Sequence, residues 1–265
     1  MYDFFFDSAD VEFIKTTWNK IYKETQPHHV RGVTTNPKAM DRVNCHSLIE
    51  WKNRIRELCE LVSHIRGDDK GVVYVQLPNC NSSPLAAISF AREIGKWGDG
   101  QTKIGMKIPP YKKILEIVPD LEKFVETNVT GVADSGTALF AASYGVRYVS
   151  VIPGRMEEKG IDADAHLRQI TESKLNRTEI IAGSMRTIDG LHRSVLLGTV
   201  PTIGGTVFKL ALQDVSSFVN ATATCSQKLP QTTEENIDLS SSFFTEMNKL
   251  GEIAWEEFKE KHNDL

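Results

Sequence analysis

Eight short apolar runs, each separated from the next by enough chain for a helix, constrain this sequence most. They cover residues 2–7, 32–36, 72–77, 105–108, 127–130, 147–152, 178–182 and 200–203. The run at 72–77, bounded by Gly71 and Pro78, has no polar alternation until Gln76 and reads as a strand buried on both faces. The stretches between carry helix signals. Ser8-Ala9-Asp10 offers caps ahead of Val11, Ile14 and Trp18 at helical spacing. Leu48, Trp51, Ile55, Leu58, Cys59, Leu61 and Ile65 form an apolar stripe, and Pro84 opens a helical pattern over 85–94. Further helices are expected at 114–118 with 121–125, 137–144, 163–173 and 191–197. Strands alternating with helices imply a parallel sheet, and eight repeats favour a closed barrel over an open doubly wound sheet. The expectation is an α/β chain forming a single (β/α)8 TIM barrel over residues 1–214. Pro201 makes the eighth strand the weakest signal, because proline cannot donate to a ladder.

Beyond Asp214 the pattern changes. Residues 215–235 are rich in Ser, Thr and Ala and read as an irregular connector. Residues 243–261 carry Phe244, Met247, Leu250, Trp255 and Phe258, the marks of an additional C-terminal helix. Residues 215–265 are therefore expected to be a connector and a helix packing on the barrel or on a neighbouring subunit.

Composition narrows the function classes. A net charge of −4 supplies no basic field for nucleic acid or an anionic membrane surface. No apolar run approaches the roughly 18 residues of a membrane span. The start lacks a basic stretch followed by an apolar core, so no signal peptide is expected. Cys45, Cys59, Cys80 and Cys225 lack CxxC spacing, and the seven histidines, His28-His29 among them, lack HExxH spacing. Neither a metal site nor a disulfide scaffold is expected, which points to a reducing, cytoplasmic setting.

The chemistry is written at the strand ends. In Gly105-Met106-Lys107-Ile108-Pro109-Pro110 the two prolines stop the strand and leave Lys107 last or next to last. The other runs end in or near Asp7, Asn36, Gln76, Asn128, Thr130 and Ser150, then Arg155, and Ser184 with Arg186. In a parallel barrel all of these meet at one mouth. A lysine enclosed there loses solvation, which disfavours the ammonium and leaves neutral amine to attack a ketone. Asp7 would serve as general base toward a substrate hydroxyl, and Gln76 and Thr130 would hold the water that leaves and returns. Arg155, Ser184 and Arg186 would donate charge-assisted hydrogen bonds to a phosphate. The kit calls for no cofactor.

Phe5-Phe6-Asp7-Ser8-Ala9-Asp10, Gly32-Val33-Thr34-Thr35-Asn36-Pro37, Lys107-Ile108-Pro109, Asn128-Val129-Thr130, Val149-Ser150 with Gly154-Arg155, and Thr178 through Gly183-Ser184-Met185-Arg186 occur in that order. Together they resemble the transaldolase family, and within it the short branch that also holds fructose-6-phosphate aldolase. The resemblance implies that Lys107 forms a Schiff base and that Asp7 is the acid/base. It further implies that Asn36, Asn128 and Ser150 donate to the dihydroxyacetone part of the substrate, that Gln76 and Thr130 handle water, and that Arg155, Ser184 and Arg186 hold the phosphate; Thr34, beside Asn36, is a further substrate-binding candidate. Members of the family form rings, so a homo-oligomer acting on small sugar phosphates is expected.

Two departures divide the readings. Transaldolases usually have Glu where this chain has Gln76, as the aldolase does; where the aldolase has Tyr and transaldolases Phe, this chain has Ile152. The first reading is a transaldolase moving a dihydroxyacetone unit from a ketose phosphate such as fructose 6-phosphate to an aldose phosphate. The alternatives are a lyase cleaving fructose 6-phosphate to dihydroxyacetone and glyceraldehyde 3-phosphate, and an inactive sugar-phosphate-binding barrel.

Overall fold

A computed structural model describes residues 3–21, 29–67, 70–173, 175, 177–213 and 234–262. The strands are β1 (Phe4–Asp7), β2 (Val30–Thr34), β3 (Val72–Gln76), β4 (Lys103–Ile108), β5 (Glu126–Val132), β6 (Tyr148–Val151), β7 (Glu179–Ala182) and β8 (Val200–Gly204). All are parallel, pair in chain order, and close when β8 pairs with β1, Asp7 lying opposite Gly204. This is the (β/α)8 barrel that the alternation predicts, and Pro201 does not prevent β8 from closing it.

Among the described residues the helices are α1 (Val11–Ile21), α2 (Pro37–Asp41), α3 (Leu48–Arg66), α4 (Pro84–Ile94), α5 (Lys112–Leu115), α6 (Val118–Leu121), α7 (Ser135–Ala142), α8 (Pro153–Glu158), α9 (Ala163–Glu172), α10 (Ile188–Leu196), α11 (Gly205–Gln213) and α12 (Glu234–Lys261). Local chemistry sets their starts. Ser47 and Glu50 close a capping box on α3, with Glu50 held down to about pKa 2 by the backbone N–H groups of Ser47 and His46. Ser83 and Asp134 accept from the third backbone N–H beyond them at α4 and α7.

Four segments differ from their sequence patterns. β2 stops at Thr34, so Asn36 lies outside the ladder and caps α2 instead. The pattern over 114–125 resolves into α5 and α6, because Pro119 fits a helix start but not a helix interior. α8 begins with the Pro153-Gly154 pair at which the sixth run ends, and Pro153 occupies the first helical turn, where its missing N–H costs nothing. α12 begins at Glu234 rather than 243. Serine tracts favour caps and turns over helix interiors, but here Ser240 hydrogen-bonds outward to Gly131 O. Most of the expected connector lies outside the described residues, as do Cys225 and His28.

Side-chain alternation divides the barrel into an outer and an inner core. Phe4 and Phe6 point outward, where both rings meet Phe208 of α11. Phe5 points inward and meets Tyr74 and Tyr148 edge to face, the three ring centroids lying 5.7–6.0 Å apart. With Val72, Ile181 and Val200 they fill the middle of the barrel. Toward the strands' amino ends the interior is charged: Arg31 pairs with Asp3 and Glu179, and the Tyr74 hydroxyl donates to Glu126. One alternation further toward the carboxyl ends, Phe5 gives way to Asp7, Tyr74 to Gln76, Tyr148 to Ser150 and Val200 to Thr202. The interior is therefore plugged in its middle and polar at its mouth.

Candidate active site

Lys107 is the next-to-last residue of β4, with Gln76 opposite it on β3 and Asn128 opposite it on β5. Only 6 % of it is exposed, and its Nζ donates to Thr35 O at 3.1 Å. Burial pushes its pKa below the ordinary lysine value, and the nearby Asp7 carboxylate opposes that shift without reversing it. This is the environment of a nucleophilic amine: one neutral acceptor, little water, and a single carboxylate in electrostatic reach.

Asp7 ends β1, opposite Thr34 of β2. The Thr34 hydroxyl donates to Asp7 Oδ1 at 3.2 Å and lies 2.7 Å from the Thr202 hydroxyl. Two threonines from neighbouring strands thus fix the carboxylate at the rim. On the other side of the lysine, Ser150 Oγ donates to Asn128 Oδ1 at 2.8 Å. That bond orients the amide and leaves Asn128 Nδ2 buried with no partner among the described residues. Both polar atoms of the buried Gln76 amide also lack a partner of normal geometry there, its polar neighbour being the Cys80 thiol. Thr130 is buried on the same strand as Asn128, one alternation on. Two buried donors and one acceptor around one amine are thus left for a group with hydrogen-bonding capacity of both kinds.

The cationic end is built by the loops after β6 and β7. Ser184 follows β7 in a left-handed backbone conformation (φ 56°), and Arg186 Nη1 donates to its carbonyl at 2.8 Å. That carbonyl presses on Gly154, where a Cβ atom would sit 1.8 Å from it. Only glycine permits this approach, so Gly154 holds the Arg155 and Ser184 loops together. A cavity of about 330 Å³ opens here, lined by Asp7, Asn36, Arg155, Ser184 and Arg186 and also by Lys38 and Arg42. Lys107, Gln76, Asn128, Thr130 and Ser150 are buried and do not reach its wall. Asn36 Oδ1 is committed to capping α2 at Ala39 N. Ile152 is 3 % exposed and packs into the outer core.

The sequence reading did not include Lys38, Arg42 or the contribution of α12. That helix crosses the barrel mouth and touches the segments after β2, β3 and β6 and the carboxyl end of β5. Glu246 pairs with Lys38 and Arg155, Asn248 accepts from Cys80 N, Gly251 sits on Pro78, and Phe243 and Phe244 face Gly131. Phe243 and Met247 line the cavity itself. The terminal helix thus rests on its own barrel.

A closed parallel barrel with a desolvated lysine and a fixed carboxylate at its carboxyl-terminal mouth defines an aldolase-type barrel. The family model for transaldolase/fructose-6-phosphate aldolase matches residues 4–265. This chain belongs to that family and is an enzyme of the transaldolase/aldolase type. It is 32 % identical over 199 residues to probable transaldolase 2 of Bacillus anthracis, a match covering 74 % of this chain and 82 % of that one. It is 30 % identical over 210 residues to a probable transaldolase of Streptococcus pyogenes serotype M2 (strain MGAS10270), covering 77 % and 87 %. Among solved structures, thiamine phosphate pyrophosphorylase from Pyrococcus furiosus superposes with a TM-score of 0.53 at 11 % identity, covering 91 % of this chain and 96 % of that one, a likeness of fold alone.

Proposed function

We propose that this enzyme transfers a dihydroxyacetone unit from a ketose phosphate such as fructose 6-phosphate to an aldose phosphate through a Schiff base on Lys107. The observation that carries the reading is the burial of the Lys107 amine, depressed in pKa, between Gln76 and Asn128 and within the field of Asp7. Neutral Nζ adds to the ketone carbon, and loss of water gives an iminium. Asp7 takes the proton from the C4 hydroxyl, the C3–C4 bond breaks, and its electron pair passes into the enamine while the aldehyde leaves. An acceptor aldehyde takes C3, Asp7 returns the proton to the new hydroxyl, and water hydrolyses the imine. In this scheme Asn36, Asn128 and Ser150 hold the three-carbon unit, Thr34 orients Asp7, and Gln76 and Thr130 hold the water. Arg155, Ser184 and Arg186 take the phosphate.

Gln76 favours a second reading. The resemblance carries that reading, since fructose-6-phosphate aldolase has Gln at this position where transaldolases usually have Glu; a lyase would protonate the enamine at C3, and water would then hydrolyse the imine to release free dihydroxyacetone. Incubation with fructose 6-phosphate and borohydride, followed by peptide mass spectrometry, is expected to place a reduced three-carbon adduct on Lys107. An adduct elsewhere overturns the site, and no adduct overturns the enzyme mechanism for this substrate. Turnover that needs erythrose 4-phosphate supports transfer; acceptor-independent dihydroxyacetone release supports the lyase.

No helix among the described residues is long and apolar enough to cross a membrane, and Cys45, Cys59 and Cys80 are free. From the family reading we infer a cytoplasmic homo-oligomer whose ligands are small sugar phosphates.

A further inference from the structure

We propose that Glu246 of α12 is a specificity-determining residue of the phosphate subsite, acting as an internal anion that a ligand's phosphate must displace. The inference rests on the reading of Arg155, Ser184 and Arg186 as that subsite. Glu246 Oε1 accepts from Lys38 Nζ at 2.6 Å and Oε2 from Arg155 Nη2 at 3.2 Å, so each carboxylate oxygen engages one cation. Burial raises the pKa of this carboxyl, but hydrogen bonds from Lys38 and Arg155 outweigh it and hold the group below its ordinary value.

The cavity beside it carries Lys38, Arg42, Arg155 and Arg186 on its wall, with Asp7 as the lining carboxylate, and Arg186 is itself paired with Glu158. Arg155 is kept in place by the Phe243 ring, 5.0 Å from its guanidinium carbon, three residues before Glu246 on the same helix. Its buried Nε has no partner among the described residues, so the guanidinium still has a donor to offer an incoming anion. Glu246 and a phosphate at that subsite therefore compete for Arg155, one of the two cations that Glu246 holds. A carboxylate offers one negative charge; a phosphate monoester offers close to two, with three acceptor oxygens. The internal carboxylate thus sets a threshold that a phosphate monoester passes and a singly charged or uncharged sugar end does not. It also ties occupancy of the subsite to the helix that roofs the mouth.

The test uses the full-length protein, with inorganic phosphate and acetate as probes measured by calorimetry and as inhibitors against fructose 6-phosphate. Glu246→Gln keeps the size and the helix while removing the charge. It is expected to bind phosphate about three- to tenfold more tightly, as loss of two half-exposed ion pairs would allow, and to lower KM for fructose 6-phosphate. Acetate, excluded by the wild type, is expected to become a measurable ligand. A merely structural Glu246 would give the opposite sign, weaker phosphate binding through a loosened Arg155. Unchanged or weaker phosphate binding in Glu246→Gln, with wild-type binding abolished by Arg155→Met, overturns the role of Glu246 and leaves the subsite reading intact. Phosphate binding that is indifferent to Arg155→Met, or absent from both wild type and Glu246→Gln, overturns the subsite reading and the proposal with it. Should Glu246→Gln fold poorly, Glu246→Asp serves instead. Its shorter carboxylate is expected to reach only one of the two cations and to give intermediate affinity; affinity at or below the wild-type value overturns the proposal.

Discussion

At Lys107, burial carries an energetic cost that bears directly on the proposed chemistry. Because burial favours the neutral amine, folding releases a proton from this side chain at any pH between its depressed pKa and the ordinary lysine value of about 10.4. In that window the unfolded chain binds more protons, so Lys107 makes stability rise with pH. Lys107→Met should therefore raise Tm at neutral pH, and that advantage should shrink as the pH approaches 10.4, which thermal denaturation across a pH series would show. The same substitution should abolish borohydride trapping. In the wild type, trapping should accelerate as the pH rises through the depressed pKa, because only the neutral amine adds to a carbonyl. A variant less stable than the wild type at neutral pH would mean that the ammonium is favourably paired and the site wrongly read.

Among the elements, α12 has the widest reach, since it joins loops that no strand connects. Its approach depends on Gly251, where a Cβ atom would lie 2.6 Å from Pro78 O. Gly251→Val should push the helix off the β3 loop and destabilise the protein by about 1–3 kcal/mol, readable by denaturant unfolding. Hydrogen exchange should rise along α12, and the added solvation should return the Lys107 pKa toward its ordinary value, moving the trapping profile to higher pH. Exchange that rises throughout the barrel instead would show that the helix supports the whole fold rather than the mouth. The capping chemistry of α3 and α4 could be read along the chain, because it links residues three apart. Contacts of α12 could not: Lys38 and Glu246 are 208 residues apart, and nothing local at either marks the other.

At the scale of the molecule, the barrel separates stability from chemistry along one axis. Phe5, Tyr74 and Tyr148 close the middle of the interior below the polar mouth. Phe5→Ala should cost about 3–5 kcal/mol by opening a cavity there, while the folded fraction still traps the substrate adduct on Lys107. Loss of trapping by protein that calorimetry shows to be folded would mean that the plug positions the site as well as supporting it.

The sequence alone determined the eight strands, their parallel order and the polar residues at their ends. Apolar periodicity and proline are local signals, and a closed barrel leaves only one end where strand termini can converge. Gly105 through Pro110 therefore marked Lys107 before any fold was known, and Asp7, Gln76 and Asn128 followed from their places in the alternation. Tertiary structure alone decided that the Thr34 hydroxyl donates to Asp7, that Ser150 donates to the Asn128 amide, that Gly154 joins two loops, and that Glu246 pairs with Lys38 and Arg155. Those contacts depend on the stagger of neighbouring strands and on where a remote helix docks. Both are set by packing of the whole chain, so no single stretch of sequence encodes them.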